Sequence, residues 1–270
     1  MHVLVTGGAG FIGSHLAERL LHDGHRVTVV DCFDPYYARE LKERNLAGIR
    51  RHVNARVLEL DLSRDALEPA LEGVEAVAHL AARAGVRASW GTHFAAYLDH
   101  NVLATQRLLE AVRGRPLHAF AYASSASVYG DEATEPVAED APTRPFSPYG
   151  ITKLAGEHLV RLYHRHHGVP ACALRYFSVY GPRERPDKGI QIFLHAALAG
   201  RPVEVHGDGT QRRDFTYVGD IVEATVRALQ QPPVGEALNL GRGHTLPLNT
   251  ILDTVERVTA RRLERRHGPT

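Results

Sequence analysis

A short apolar run, a cluster of glycines and an amphipathic stretch follow one another within the first 22 residues, and this succession constrains the fold more than any other feature of the 270-residue sequence. Residues 2–6 read as a buried parallel strand. Phe11 to Leu21 has helical spacing, with Phe11, Ile12, Leu16, Leu20 and Leu21 available for one face. The glycines fall between the two. Gly8-Ala9-Gly10-Phe11-Ile12-Gly13 satisfies G-x-G-x-x-G, and Gly7, Gly10 and Gly13 recur every third residue. Missing side chains allow a tight turn, close approach of backbone to a pyrophosphate and close helix–strand packing. The helix N-terminus adds amide donors and the positive end of its dipole. A glycine turn alone is weak evidence. With a strand before it and a helix after it, it has the context of a dinucleotide site.

A second strand, 26–31, ends on Asp31, 24 residues after Gly7. That is close to the spacing of the acid that hydrogen-bonds the adenosine ribose. A carboxylate there repels a 2′-phosphate, and Cys32 and Phe33 follow with no immediate Arg or Lys to invite one. NAD is therefore expected over NADP. The plainer reading of Asp31 is a solvated acid at a strand end.

Strand-like segments recur at 2–6, 26–31, 56–60, 76–80, 118–123, 171–175 and 237–240. Helical segments fall at 11–22, 36–47, 64–72, 94–113, 148–167, 190–199, 219–230 and 248–262. This alternation predicts an α/β doubly wound parallel sheet. Hydrophobic residues at 44% can supply its core, and a net charge of +1 leaves no electrostatic footprint for nucleic acid. No apolar run approaches the roughly 18 residues that span a membrane, and no signal peptide precedes the first strand. Cys32 and Cys172 do not make a disulfide framework. A soluble, cytoplasmic protein is expected. His164, His166 and His167 end a helix without an acidic third ligand, so no metal site is read there. The arginines at 261, 262, 265 and 266 read as a solvated helix face.

Chemistry is concentrated in the middle of the chain. Residues 120–123 form a buried strand ending in Ser124 and Ser125. Tyr149 and Lys153, four residues apart, share a helix face. A phenol with a pKa near 10 is a poor base at neutral pH, but a nearby ammonium and the positive ring of oxidised NAD would lower it. Ser125 could share the proton of a substrate hydroxyl. Only three of the 32 basic residues are lysine, which gives Lys153 more weight. An ordinary exposed helix pair is the plainer alternative.

The chain resembles the extended short-chain dehydrogenase/reductase family in its nucleotide-sugar epimerase and dehydratase branch. The pieces that carry the resemblance are Thr6 to His15, Asp61-Leu62, His79-Leu80-Ala81-Ala82, Asn101-Val102, Ser124 to Gly130, Ser147-Pro148-Tyr149 through Lys153, Arg175 to Pro182, and Arg213 to Val218. The resemblance implies a Rossmann-type sheet with a smaller C-terminal substrate-binding lobe. Residues 1–175 would hold the NAD domain and catalytic residues, and 176–270 mainly the lobe, with a return to the sheet near 237–240. It implies that Gly7, Gly10, Phe11, Ile12, Gly13 and Asp31 bind NAD, that Asp61 and Leu62 border the adenine, and that Ala81 and Ala82 line the NAD backbone, with Asn101 on the cofactor side. Ser125 would be the catalytic hydroxyl, Tyr149 the base, Lys153 the nicotinamide-ribose ligand, and Arg213 a contact to the substrate diphosphate. Helices near 94–113 and 148–167 would pair in a homodimer. The family pattern runs on beyond a segment such as Asn239-Leu240-Gly241 and its following helix, so the sequence is short for it.

Resembling 4,6-dehydratases carry an Asp-Glu pair directly after the catalytic hydroxyl residue, and resembling UDP-glucuronate decarboxylases carry Glu where this chain has Ser127. Here Ala126 and Ser127 follow Ser125. Oxidation and reduction at one carbon remain, as in a UDP-sugar 4-epimerase. Galactose-type enzymes have Asn at the position of Ser178. Ser178 and the loop holding Arg185 look more like UDP-glucuronate 4-epimerases, with Arg185 able to fork a sugar carboxylate. Arg87 is a second candidate cation near the substrate, and Ser127 faces the same region. The alternatives are a UDP-glucose 4-epimerase or related reductase, and a catalytically silent NAD-binding regulator.

Overall fold

The first strand, β1 (His2–Thr6), is buried from end to end, so it needs cover on both faces. The helices and strands that follow supply it. In chain order they are α1 (Phe11–His22), β2 (Arg26–Asp31), α2 (Arg39–Leu46), β3 (Ala55–Glu59), β4 (Ala76–His79), α3 (Phe94–Tyr97), α4 (Ala104–Val112), β5 (Ala119–Ser125), α5 (Pro148–His167) and β6 (Ala171–Tyr176). Next come β7 (Ser178–Tyr180), α6 (Gly189–Ala199), β8 (Val203–His206), β9 (Arg212–Arg213), β10 (Phe215–Tyr217) and α7 (Val218–Gln230). Last are β11 (Ala237–Leu240), β12 (Leu246–Pro247), α8 (Leu248–Thr259) and β13 (Arg265–Gly268). This computed structural model describes residues 1–131 and 136–269. The loop expected at 131–148 lies partly outside the described residues.

Seven strands form one parallel sheet in the order β11-β6-β5-β4-β1-β2-β3. Strand order reverses between β1 and β4, which opens a crevice at their carboxyl ends. One face is covered by α1 and α7, with Leu16, Leu20, Ile221 and Leu229 buried there. The other is covered by α4 and α5, through Leu108, Leu109 and Val160. A smaller core of Phe193, Val205, Leu252 and Leu263 joins α6, α8 and β8 beside the crevice. Among the described residues no helix is long and apolar enough to cross a membrane.

Three local expectations are corrected. Residues 64–72 make only a single 3-10 turn at Glu68–Ala70; Pro69 and Gly73 leave no room for a longer helix, and the apolar spacing reflects buried loop residues Leu67, Ala70 and Leu71. The last helix ends at Thr259, where Ala260 turns left-handed (φ +53°). The four arginines therefore share no helix face: Arg265 and Arg266 lie in β13, paired with β8. The 94–113 rod is helical throughout but contains a π turn, Leu98–Leu103. The short strands β7 to β10, β12 and β13 were not anticipated, because two to four residues carry no readable period.

Candidate active site

The glycine turn is packed too closely to admit side chains at Gly7 and Gly13. Gly7 has φ +67°, and a Cβ there would come within 2.8 Å of the Ala81 backbone. A Cβ on Gly13 would overlap the Gly7 carbonyl oxygen. The Gly10 amide donates to the Gly7 carbonyl (3.0 Å), which tightens the turn into α1. Asp31 sits buried at the end of β2. Its Oδ2 accepts the Ala9 amide (3.2 Å), and its Oδ1 accepts the Phe33 amide (2.8 Å) and Lys42 Nζ (3.1 Å). A lysine thus does attend this acid, brought back by α2 rather than standing next to it in sequence. Phe11, Ile12, Asp61, Leu62, Ala81 and Ala82 line the same cleft. This cradle and acid fit the pyrophosphate and ribose of NAD.

Asn101 lies in the π turn. It is buried and absent from the cleft lining. Its Oδ1 accepts the Arg83 amide (2.7 Å), while Nδ2 donates to the Arg83 carbonyl and to Thr152 Oγ1 (2.9 Å each). It ties the π turn to α5 and to the loop after β4.

Helix α5 starts sharply. Ser147 caps it by accepting the Gly150 amide (3.1 Å), and Pro148 occupies its first turn. Tyr149 and Lys153 therefore stand on successive turns, over the end of β5. Lys153 is buried, donates from Nζ to the Ala123 carbonyl (2.8 Å), and is lowered by burial to about 7, with Glu157 opposing. The Ser125 hydroxyl lies beside the Tyr149 phenol. Burial raises this phenol, against the lowering effects of Ser125 and the charge of Arg185. Ser125 Oγ donates to Ser127 Oγ (3.2 Å) and accepts the Ser127 amide (3.1 Å). Beyond Lys153, Glu157 takes both a bidentate pair from Arg175 (2.9 Å each) and the Ser124 hydroxyl (2.5 Å). This buried link locks α5 to β5 and β6.

From the glycine turn the cleft passes Ser125, Tyr149 and Lys153 into the smaller lobe, with a volume near 2040 Å³. A drug-sized pocket is roughly 300–1,000 Å³, so two nucleotide-sized ligands can share this one. Ser127, Ser178, Arg185, Arg87 and Arg213 all line it. Arg185 Nε and Nη2 donate to Asp187, and Arg87 Nη1 lies 3.1 Å from His206 Nε2. Arg213 is exposed, with Nη1 on the Arg212 carbonyl. Glu184, in the same wall, is 7% exposed and its Oε2 has no hydrogen-bond partner among the described residues. Burial raises its carboxyl to about 7. Among the described residues no His, Cys, Asp and Glu side chains group as a metal site.

Residues 3–241 match the NAD dependent epimerase/dehydratase family. The chain belongs to this family. It is 41% identical over 264 residues to a Bacillus subtilis protein named as an uncharacterized UDP-glucose epimerase, covering 97% of this chain and 83% of that one. It is 38% identical over 272 residues to the UDP-glucuronate 4-epimerase of Thermodesulfobacterium geofontis, covering 98% and 83%. The Bacillus cereus UDP-glucuronic acid 4-epimerase, solved with UDP-glucuronic acid and NAD, superposes with a TM-score of 0.96 at 38% identity, covering 100% of this chain and 87% of that one.

Sequence reading missed several polar residues of this epimerase/dehydratase. Lys42 on Asp31, Glu157 behind Lys153, and Tyr36 and Asp187 around Arg185 are separated in sequence from the residues they serve or lie on loops. Only the scarcity of lysine could have pointed to Lys42.

Proposed function

We propose that the protein is an NAD-dependent UDP-sugar 4-epimerase whose substrate pair is UDP-glucuronate and UDP-galacturonate. One observation carries the reading: Ser125, Tyr149 and Lys153 converge in a cleft whose following positions, Ala126 and Ser127, hold no acid, with Arg185 in its wall. The glycine cradle would hold the cofactor pyrophosphate and Asp31 the ribose. Bound NAD supplies the hydride acceptor and donor at C4 and a positive ring that favours the ionised phenol. Tyr149 takes the proton of the 4-hydroxyl and later returns it. Ser125 aligns that hydroxyl, and the Lys153 ammonium stabilises the phenolate. Turnover of the keto sugar between the two proton transfers inverts C4 without net oxidation. Arg185 meets the sugar carboxylate, Ser127 and Ser178 flank the sugar, and Arg87 and Arg213 face the diphosphate.

The Bacillus cereus and Thermodesulfobacterium proteins support the uronate assignment. UDP-glucose is the second reading, favoured by the Bacillus subtilis relative and by the Asp187 carboxylate already paired with Arg185. Incubation with a panel of UDP-sugars, followed by separation of C4 epimers, tests both. Faster UDP-galacturonate formation from UDP-glucuronate is expected, and Arg185→Ala should abolish that preference. Equal rates on UDP-glucuronate and UDP-glucose would move the assignment to UDP-glucose. Release of UDP-pentose would remove the epimerase assignment, and NAD binding without turnover would leave a silent regulator.

The protein works as a homodimer in this reading. Leu98, Leu103, Ile151 and Leu162 are 42–52% exposed on the two packed helical segments 94–112 and 148–167, which suits an isologous interface. A cytoplasmic location suits the free thiols Cys32 and Cys172.

A further inference from the structure

The edge of Arg185 that presents two parallel donors is already in use. Nε and Nη2 donate to the Asp187 carboxylate at 2.9 and 2.8 Å, the side-on geometry in which a guanidinium grips any carboxylate. Asp187 is steadied from a loop of the nucleotide half of the molecule. The Tyr36 hydroxyl, between β2 and α2, donates to its Oδ2 at 3.2 Å. The Tyr36 ring also lies 5.1 Å from the Arg185 guanidinium carbon. Arg185 is 17% exposed and Asp187 41%. The cation is therefore fixed in the wall, and the anion is the partner with room to leave.

Two carboxylates cannot occupy one guanidinium edge, and like charges at that range repel. An uncharged hexose enters without disturbing the pair. A hexuronate must displace Asp187 or accept the remaining Nη1 and Nη2 donors. Resting on the uronate reading above, we propose that Asp187 is a specificity-determining residue, an internal carboxylate that competes with the substrate carboxylate for the same edge of Arg185, held in place by Tyr36. The preference for an acidic sugar is then smaller than an open arginine would impose, and Asp187 sets its size.

The test is calorimetric titration of UDP-glucuronate and of UDP-glucose into NAD-loaded protein at fixed ionic strength. Unmutated protein is compared with Asp187→Asn, which keeps the shape and one acceptor oxygen but removes the charge. The ratio of the UDP-glucose to the UDP-glucuronate dissociation constant should rise about tenfold in Asp187→Asn, as expected for releasing one charge-assisted contact. It should rise by less in Tyr36→Phe, a milder variant that only removes the steadying hydroxyl. In the Arg185→Ala, Asp187→Asn double variant it should fall back to the value of Arg185→Ala alone. An unchanged or lower ratio in Asp187→Asn overturns the proposal, because Asp187 then orients Arg185 rather than competing for it. A gain that survives in the double variant overturns it as well. The uronate reading is judged separately, from which sugar the unmutated protein epimerises.

Discussion

Lys42 Nζ lies 3.1 Å from Asp31 Oδ1, with the two side chains only 7% and 6% exposed. The acid at the end of β2 carries its own buried counter-ion. Asp31→Asn would remove the charge that repels a 2′-phosphate and release a lysine able to attract one. The preference for NAD over NADP should therefore narrow or invert, as read by titration of both cofactors. Lys42→Met should instead destabilise the fold by about 3–5 kcal/mol, because it leaves a buried carboxylate unpaired. Thermal unfolding measures that loss, and an unchanged midpoint would show that the pair is not structural.

Tyr149→Phe keeps the ring beside Tyr97, which packs edge-on at 6.4 Å, and removes only the hydroxyl. NAD affinity should be retained. Epimerisation should fall by roughly 10²–10⁴-fold, the usual contribution of a positioned acid–base group. Turnover near that of the unmutated protein would take Tyr149 out of the proton transfer.

Glu184 makes stability depend on pH in a defined direction. Its folded-state carboxyl is raised from 4.5 to about 7 by burial. Below pH 4.5 it is protonated whether the chain is folded or not, so its contribution to stability is fully present there. That contribution is lost as pH rises through about 7, where the folded protein must hold a buried charge. Glu184→Gln should match the unmutated protein near pH 4.5 and exceed it above pH 7, by up to about 3 kcal/mol. Chemical denaturation at the two pH values checks this. A Gln variant that gains nothing at high pH would contradict it.

Dimerisation should respond to the exposed helical leucine and isoleucine side chains. Full burial of each is worth about 1.5–3 kcal/mol. Leu103→Glu with Ile151→Glu should shift the protein to monomer at micromolar concentration by light scattering, with its circular dichroism spectrum unchanged. A monomeric unmutated protein would refute the interface.

What could be read along the chain was set by local sterics. Gly7 and Gly13 occupy positions where a Cβ would strike backbone, and β1, β5 and β6 are apolar because both their faces are covered. Ser147 and Pro148 open α5 by capping rules that involve only their neighbours, and the helical repeat then places Tyr149 and Lys153 on one face. Fold class, the glycine turn and the shared helix face of Tyr149 and Lys153 were legible for that reason. Other features depended on which elements the fold packs together. Lys42 reaches Asp31 across α2, Glu157 meets Arg175 between α5 and β6, and Tyr36 touches Asp187 from 151 residues away. Asn101 illustrates the difference. Three tertiary hydrogen bonds, to the amide and carbonyl of Arg83 and to Thr152, make it a tie that no local pattern announces. The state of the Tyr149 phenol was also decided there. Burial, which only packing determines, raises it.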